Sequence, residues 1–325
     1  MTAPAVSICM PAFNAAKWIA AAIESALAQT YEDFELVVAD NASSDETVAI
    51  VRSFGDPRIR VETAERTIGA VANHNRAVRL AGGEYVKFLH ADDLLLPDCI
   101  EAMAGLARED PRIGLVFAAR DVIVEEPEGR DWAARFARPH ERLHGLVRVT
   151  EGRALLGQLL EAGVEENWIG EPSAVLLTRA CLAGVGLLNT RLHQIADLEL
   201  WLRIMATHRV GFIERPLSVY RHHGQSGTAL NARVGRDWLD RLWLLEGLLA
   251  TDALAEERER LERLRREALR RAVRAQAGRI LRRRWTRDLL DYGTYRALAL
   301  AGRRPPLHEP LTDPATSRSG QGQSP

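Results

Sequence analysis

The chain has 325 residues, 46% hydrophobic and 27% charged, which points to a globular protein with one large core or a core plus an appendage. Cys9, Cys99 and Cys181 lie far apart with no CxxC spacing, so they read as reduced structural thiols rather than a disulfide or metal framework. No basic-then-apolar leader is visible and no apolar run reaches membrane-spanning length, so a cytoplasmic location is expected. The formal net charge of -1 hides an asymmetry, because sixteen arginines face five acids between Arg258 and Arg304.

The first third alternates strand-like and helix-like runs, the pattern of βαβ units in an α/β sheet. Residues 6–10 read as a strand, and Asn14 is placed to cap a helix carrying Ile19, Ile23 and Leu27 on one stripe. Residues 34–39 form a second strand, followed by Ser43 and Glu46 at capping-box spacing. Residues 59–62 form a third strand, and a helix through Val71, Val78 and Leu80 stops at Gly82-Gly83. A strand over residues 85–89 then runs into His90-Ala91-Asp92-Asp93, which puts the acidic pair at a strand's carboxyl end. Asp40 falls at the same end of the second strand, and open α/β sheets bind ligands beyond that rim.

A strand is expected to end at Ala118, with residues 121–146 as a loop or insertion. A strand over 174–177 and a helix through Leu198, Leu202 and Met205 follow. Helical spacing dominates from Asp237 to about Leu300, and residues 305–325, rich in Pro, Ser, Gly and Gln, read as a disordered tail.

Two adjacent carboxylates repel, so the site needs a cation or hydrogen-bond donors. A hard divalent cation bridging carboxylates to substrate phosphates satisfies that need. On spacing alone, Asp92 or Asp93 reads equally well as the cap of a helix beginning near Pro97.

Five ordered segments carry a resemblance to the family 2 glycosyltransferases. Residues 6–14, VSICMPAFN, resemble the opening strand and PxYN-type turn, with Phe13 for the usual Tyr. Residues 34–47, FELVVADNASSDET, resemble the second-strand segment, and residues 83–93, GEYVKFLHADD, the strand leading to the DxD-type site. Residues 197–203, DLELWLR, look like the acid-containing helix, and residues 220–226, YRHHGQS, the closing Tyr-Arg-x-His segment. His90 stands at the first acid of DxD, Ala39 at an acid often found before Asp40, and Asn73-His74-Asn75 where many relatives carry Ala-Arg-Asn.

The resemblance implies an inverting, metal-dependent transferase using a nucleotide-sugar donor, UDP-linked by family habit. Pro11, Phe13, Asn14, Asp40, His74, Asn75 and Asp92 would bind the nucleotide sugar, Asp40 at the base, Asp92 near the ribose and His74 in place of a basic contact. Asp93 would hold Mn2+ or Mg2+, with His223 as a further metal or phosphate contact. Asp197 would be the general base toward the acceptor hydroxyl.

Simpler readings stand beside these. Asp197 suits an N-cap, Glu199 a solvated position or one that supports the site's residues rather than the base, and His222 and His223 surface residues. Residues 168–172, WIGEP, border a strand and are a candidate edge of the acceptor pocket.

The expected fold is a GT-A-like, mostly parallel α/β sheet flanked by helices over residues 1–228, with a basic helical C-terminal appendage over 229–304. The expected acceptor is a glycan or lipid-linked glycan in surface polysaccharide or glycan assembly. Absence of a QxxRW signature favours a single-addition enzyme. Two other classes compete: a dinucleotide oxidoreductase, which lacks a Gly-x-Gly-x-x-Gly turn after the first strand, and a nucleotide- or glycan-binding domain derived from a transferase. The apolar stripe at Leu261, Leu264 and Ala268 amid arginines suits either packing on the body or peripheral membrane contact, whereas nucleic-acid binding lacks an aromatic platform.

Overall fold

The computed structural model describes residues 4–126, 130, 131, 133, 137–225, 237–280, 287–303 and 306–311. In chain order the elements are β1 (Val6–Ala12), α1 (Ile19–Leu27), β2 (Phe34–Asp40), α2 (Thr47–Ser53), β3 (Ile59–Thr63), α3 (Ala70–Leu80), β4 (Tyr85–Phe88), β5 (Leu94–Leu95), α4 (Cys99–Glu109) and β6 (Ile113–Val124). Then come β7 (Val149–Glu151), α5 (Gly152–Glu161), β8 (Val175–Thr178), α6 (Arg179–Val185), α7 (Ala196–Met205) and β9 (Arg209–His222). Three further helices, α8 (Asp237–Leu249), α9 (Arg258–Ile280) and α10 (Arg287–Leu300), complete the described chain.

One sheet runs in the order β3-β2-β1-β4-β8-β6-β9-β5, with β7 on β9. The α/β expectation holds. Strands β1 to β4 pair in parallel, while β8 runs antiparallel between β4 and β6, so the other half of the sheet is mixed. Alternation along β1 assigns the two faces: Val6, Ile8 and Met10 join the core under α1 and α4, and Cys9 the core under α3, α5 and α7. The parallel strands need crossover helices that cover both faces, which is why both carry apolar residues. At the β1 to β4 seam Gly83 is required, because a Cβ there would lie 2.6 Å from the Ser7 backbone nitrogen.

Several local expectations change. Helix α1 buries Ile19 and Ile23 of the expected stripe together with Ala22 and Ala26, while Leu27 at its end is only partly buried, and no side chain caps the helix. Asn14 takes a left-handed φ of 48° and turns its amide oxygen to the backbone N–H of Ser44. The Ser43/Glu46 capping box does not form either. The Ser43 hydroxyl accepts from the Asn14 N–H, and Thr47 and Asp45 organise the start of α2. Strand β6 continues past Ala118 to Val124, because β9 pairs with it in parallel as far as Val124 and His222. The expected loop therefore begins as a strand; its residues 127–129, 132 and 134–136 lie outside the described residues.

The expected division at residue 228 lies within residues 226–236, also outside the described residues. Beyond it, Leu242, Trp243, Leu245 and Leu248 of α8 enter the same core as Trp201 and Leu202 of α7, with Leu261, Ala268, Tyr292 and Tyr295 from α9 and α10. Part of the expected tail is ordered: Leu307 is buried, and the Leu187 N–H donates to the Glu309 carbonyl at 2.9 Å. Residues 312–325 lie outside the described residues. No helix among the described residues is long and apolar enough to cross a membrane.

The solvated reading does not hold for Glu199. It is fully buried and pairs with Arg203 one turn on at 3.0 Å, while Arg203 donates to the carbonyls of Val185 and Leu187. This pair fixes α7 against the turn after α6. Arg203→Met should lower stability by about 3–5 kcal/mol by stranding the carboxylate, whereas the double change Glu199→Met/Arg203→Met should cost far less. Urea unfolding of the single and double variants checks this; equal losses would assign the pair no mutual role.

Candidate active site

The sheet order brings β9 alongside β5, and this positions the acidic pair. Asp93 is 1% exposed and accepts the Arg221 backbone N–H on Oδ1 at 2.8 Å. Its Oδ2 is buried without a hydrogen-bond partner, with His90 Nδ1 nearest among cationic groups at 3.5 Å. Asp92 points the other way, its Oδ2 3.0 Å from Nε2 of His223. His223 is buried and stacks on Trp18 at a centroid distance of 4.0 Å. Helix α4 begins at Cys99 with no side-chain cap, so neither acid serves it. Burial works against the charge of Asp92, but the His223 hydrogen bond and then His90 outweigh it and lower its pKa.

His90 adds a group that its position in the tetrapeptide flagged only as a departure. Ligand atoms of His90, Asp92 and Asp93 all lie within 4.8 Å of one another, a set suited to a divalent cation. His74 orients this imidazole. Nδ1 of His74 sits 2.8 Å from the Ala70 carbonyl and so carries the proton; its Nε2 then accepts from Nε2–H of His90 at 3.0 Å. Burial, with the neighbouring His90 charge, depresses the His74 pKa to about 3. Burial also opposes charge on His90, yet Asp93, Asp92 and Glu171 together raise its pKa to about 9.

Beneath the site Lys87 is completely buried, donating to the carbonyls of Phe88 at 3.1 Å, Val175 at 3.3 Å and Ser173. Burial holds its pKa below the usual lysine range. The Ser173 hydroxyl in turn accepts the His90 backbone N–H at 3.0 Å. Strand β4 and the turn before β8 are thus locked together.

A cavity of about 440 Å³ opens over this junction, lined among others by His74, His90, Asp92, Arg120, Glu171 and Asp197. Asp197 is not an N-cap: Ile195 holds that position, and the carboxylate accepts Leu198 N–H at 2.8 Å and Asn167 Nδ2 at 2.9 Å. Asn167 also gathers its own turn, taking the N–H groups of Ile169 and Gly170 at 3.1 Å each. Burial raises the Asp197 pKa to about 6, with Glu171 adding to the shift and Leu198, His90 and Asn167 opposing it.

The remaining residues singled out in the sequence sit apart from the cavity lining, at the ends of β1 and β2 or behind α3. Asp40 is buried, its carboxylate accepting the Ser43 N–H at 3.2 and 3.3 Å. Pro11 pairs with Ala39 in the ladder, Phe13 is 51% exposed and Asn14 forms the turn described above. Asn75 is committed to structure, its amide exchanging two hydrogen bonds with the backbone of Leu188. Sequence inspection missed Asn167, Glu171 as a charged wall residue, Arg120 and Lys87; WIGEP was the only signal for that region.

The protein has a crossover sheet with an acid-bearing cleft beyond its strand ends, and the comparisons identify it as a glycosyltransferase and specify the family. The model of the family described as glycosyl transferase family 2 matches residues 7–154. Protein MT1568 of Mycobacterium tuberculosis (strain CDC 1551 / Oshkosh) is 35% identical over 246 residues, 76% of either chain. The chain belongs to glycosyl transferase family 2. The Escherichia coli enzyme WfgD, a UDP-Glc:alpha-D-GlcNAc-diphosphoundecaprenol beta-1,3-glucosyltransferase, is 43% identical over 118 residues, 36% of this chain and 46% of its own. Among solved structures, TarS of S. aureus in complex with UDP aligns with a TM-score of 0.59 and 16% identity over 81% of this chain and 70% of that one. The mannosyltransferase PcManGT from Pyrobaculum calidifontis, in complex with GDP-Man and Mn2+, aligns with a TM-score of 0.53 and 18% identity over 92% and 81%. These two likenesses establish the shared fold.

Proposed function

We propose that the protein transfers a sugar from a UDP-linked donor to an acceptor hydroxyl with inversion, in surface polysaccharide or glycan assembly. The observation that carries this reading is Asp197, a carboxylate of raised pKa on the same cavity as His90 and Asp92. WfgD, named for a UDP-Glc donor and a diphosphoundecaprenol-linked acceptor, supports the donor and the acceptor class. TarS with UDP supports the base. We further divide the chain into a catalytic body over residues 1–228, a basic helical region over 229–304 and a tail.

Asp40, at the end of β2, would receive the base, with Pro11, Phe13 and Asn14 forming the neighbouring edge. His74 would meet the nucleotide from α3, and Asn75 would act through the Leu188 backbone it holds. Asp92 would face the ribose. The buried, unpartnered Oδ2 of Asp93 suits a cation, so Asp93 would hold Mn2+ or Mg2+, with His90 and Asp92 beside it and His223 behind Asp92. The ion would offset charge on the departing diphosphate. Asp197, fixed by Asn167 and the Leu198 N–H, would take the acceptor hydroxyl proton. That oxygen attacks the anomeric carbon as the bond to the diphosphate breaks on the opposite face, which inverts the centre.

A base with a pKa near 6 is charged above that pH, so kcat/KM should fall as pH drops through about 6, and Asp197→Asn should lose about 10²–10⁴-fold in kcat. Full activity of Asp197→Asn would overturn the assignment. Asp93→Asn should weaken Mn2+ binding roughly tenfold or more, read by electron paramagnetic resonance of free Mn2+; unchanged binding would move the metal elsewhere.

A lipid-linked acceptor would bring the enzyme to a membrane surface. Helix α9 exposes Arg263, Arg266, Arg270 and Arg274 beside Leu269 and Val273, a face suited to anionic lipid. Flotation with phosphatidylglycerol vesicles should fall in Arg266→Glu/Arg270→Glu and be absent with neutral vesicles; equal flotation of both proteins would remove the contact.

A further inference from the structure

The cavity wall carries an ion pair that the transfer step above leaves unused. Arg120 Nε lies 3.0 Å from Glu171 Oε2, and the two side chains are 6% and 13% exposed. The other carboxylate oxygen, Oε1 of Glu171, is buried without a hydrogen-bond partner among the described residues. Glu171 lines the cavity, and buried polar atoms in native proteins almost always have partners, so an unpartnered oxygen on this residue marks a place for a ligand's donor.

The surroundings hold this pair in place. Glu171 opens the turn Pro172–Ala174, whose Ser173 is tied both to the His90 N–H and to Lys87. Gly170, just before it, has φ of +113°, and a Cβ there would lie 2.9 Å from Nη1 of Arg120, so the glycine makes room for the guanidinium. The Asn167 side chain and the Trp201 indole N–H fix the same turn through the Gly170 backbone.

The charge balance selects the ligand. A second cation is disfavoured by the adjacent guanidinium. Carboxylate-bearing ligands meet Glu165, Glu166 and Asp197 on the same lining. A neutral group with hydroxyl donors suits the free oxygen. We propose that Glu171, oriented by Arg120, accepts a hydrogen bond from a hydroxyl of a neutral pyranose in the cavity and thereby determines which sugar the enzyme takes, excluding carboxylate-bearing sugars. The inference rests on the donor-site reading above.

Glu171→Gln tests it. Arg120 needs an acceptor, so the new amide turns its oxygen to the guanidinium and offers NH2 to the cavity, a donor facing a donor. In calorimetric titrations with UDP, UDP-glucose, UDP-galactose, UDP-N-acetylglucosamine and UDP-glucuronate, the neutral sugar nucleotide that wild type binds best should lose about tenfold in affinity, with UDP changed less than twofold. If donor affinities hold while KM for p-nitrophenyl hexoside acceptors rises about tenfold at little-changed kcat, the hydroxyl belongs to the acceptor and the pyranose site stands. The variant Glu171→Met/Arg120→Met, which removes both charges together, keeps the test readable should Glu171→Gln fail to fold. Equal weakening of UDP and its sugar conjugates, or no change in either donor or acceptor constants, overturns the proposal. Absence of UDP binding by the wild type would instead overturn the donor-site reading.

Discussion

Everything at the active rim answers to one electrostatic constraint: Asp92, Asp93, Glu171 and Asp197 are gathered where their charges oppose one another. At an effective dielectric near 20, two unit charges 4 Å apart repel by about 4 kcal/mol, so such a cluster persists only with compensation. The protein supplies it locally. His90 and the Arg221 backbone N–H serve Asp93, His223 serves Asp92, Arg120 serves Glu171, and Asn167 with the Leu198 N–H serves Asp197. The buried Lys87 ammonium lies below them, held by three carbonyls. Among these four acids, the buried oxygens left without a hydrogen bond within the described residues are Oδ2 of Asp93 and Oε1 of Glu171.

The constraint explains the architecture around it. The compensating groups come from the end of β4, from β6, from β9 and the residue after it, from the turn before β8 and from the head of α7, segments spread along the chain. Only a sheet that inserts β8 between β4 and β6 and returns β9 alongside β5 brings them to one cleft. Two residues beyond Asp197, the buried Glu199–Arg203 pair holds α7 to the turn after α6. Helix α8 then covers α7 with Leu242 and Trp243, so the C-terminal helices share the hydrophobic core that carries α7.

Legibility from sequence followed the range of the interactions involved. Strands β1, β2 and β4 and the stripe of α1 were readable because burial on a regular element leaves a period in the chain. Caps were not. Asn14, Ser43 and Glu46 carry capping chemistry, yet Asn14 and Ser43 found partners in each other's turns, about thirty residues apart, where a local rule sees nothing. The length of β6 depended on its distant partner β9. Glu199 was open to a solvated reading because nothing in the spacing of its helix shows that α6 and α8 pack on it and leave the carboxylate buried.

The sequence by itself determined the family, the α/β class and the carboxylates at the strand ends, since these rest on ordered short segments and on periodicities that need no knowledge of distant contacts. Only the tertiary structure decided which groups stand beside each acid: His90 with Asp93, His223 with Asp92, Asn167 with Asp197 and Arg120 with Glu171. Charge compensation acts through space over a few ångströms, and partners separated by up to 131 residues leave no spacing in the chain from which it could be read.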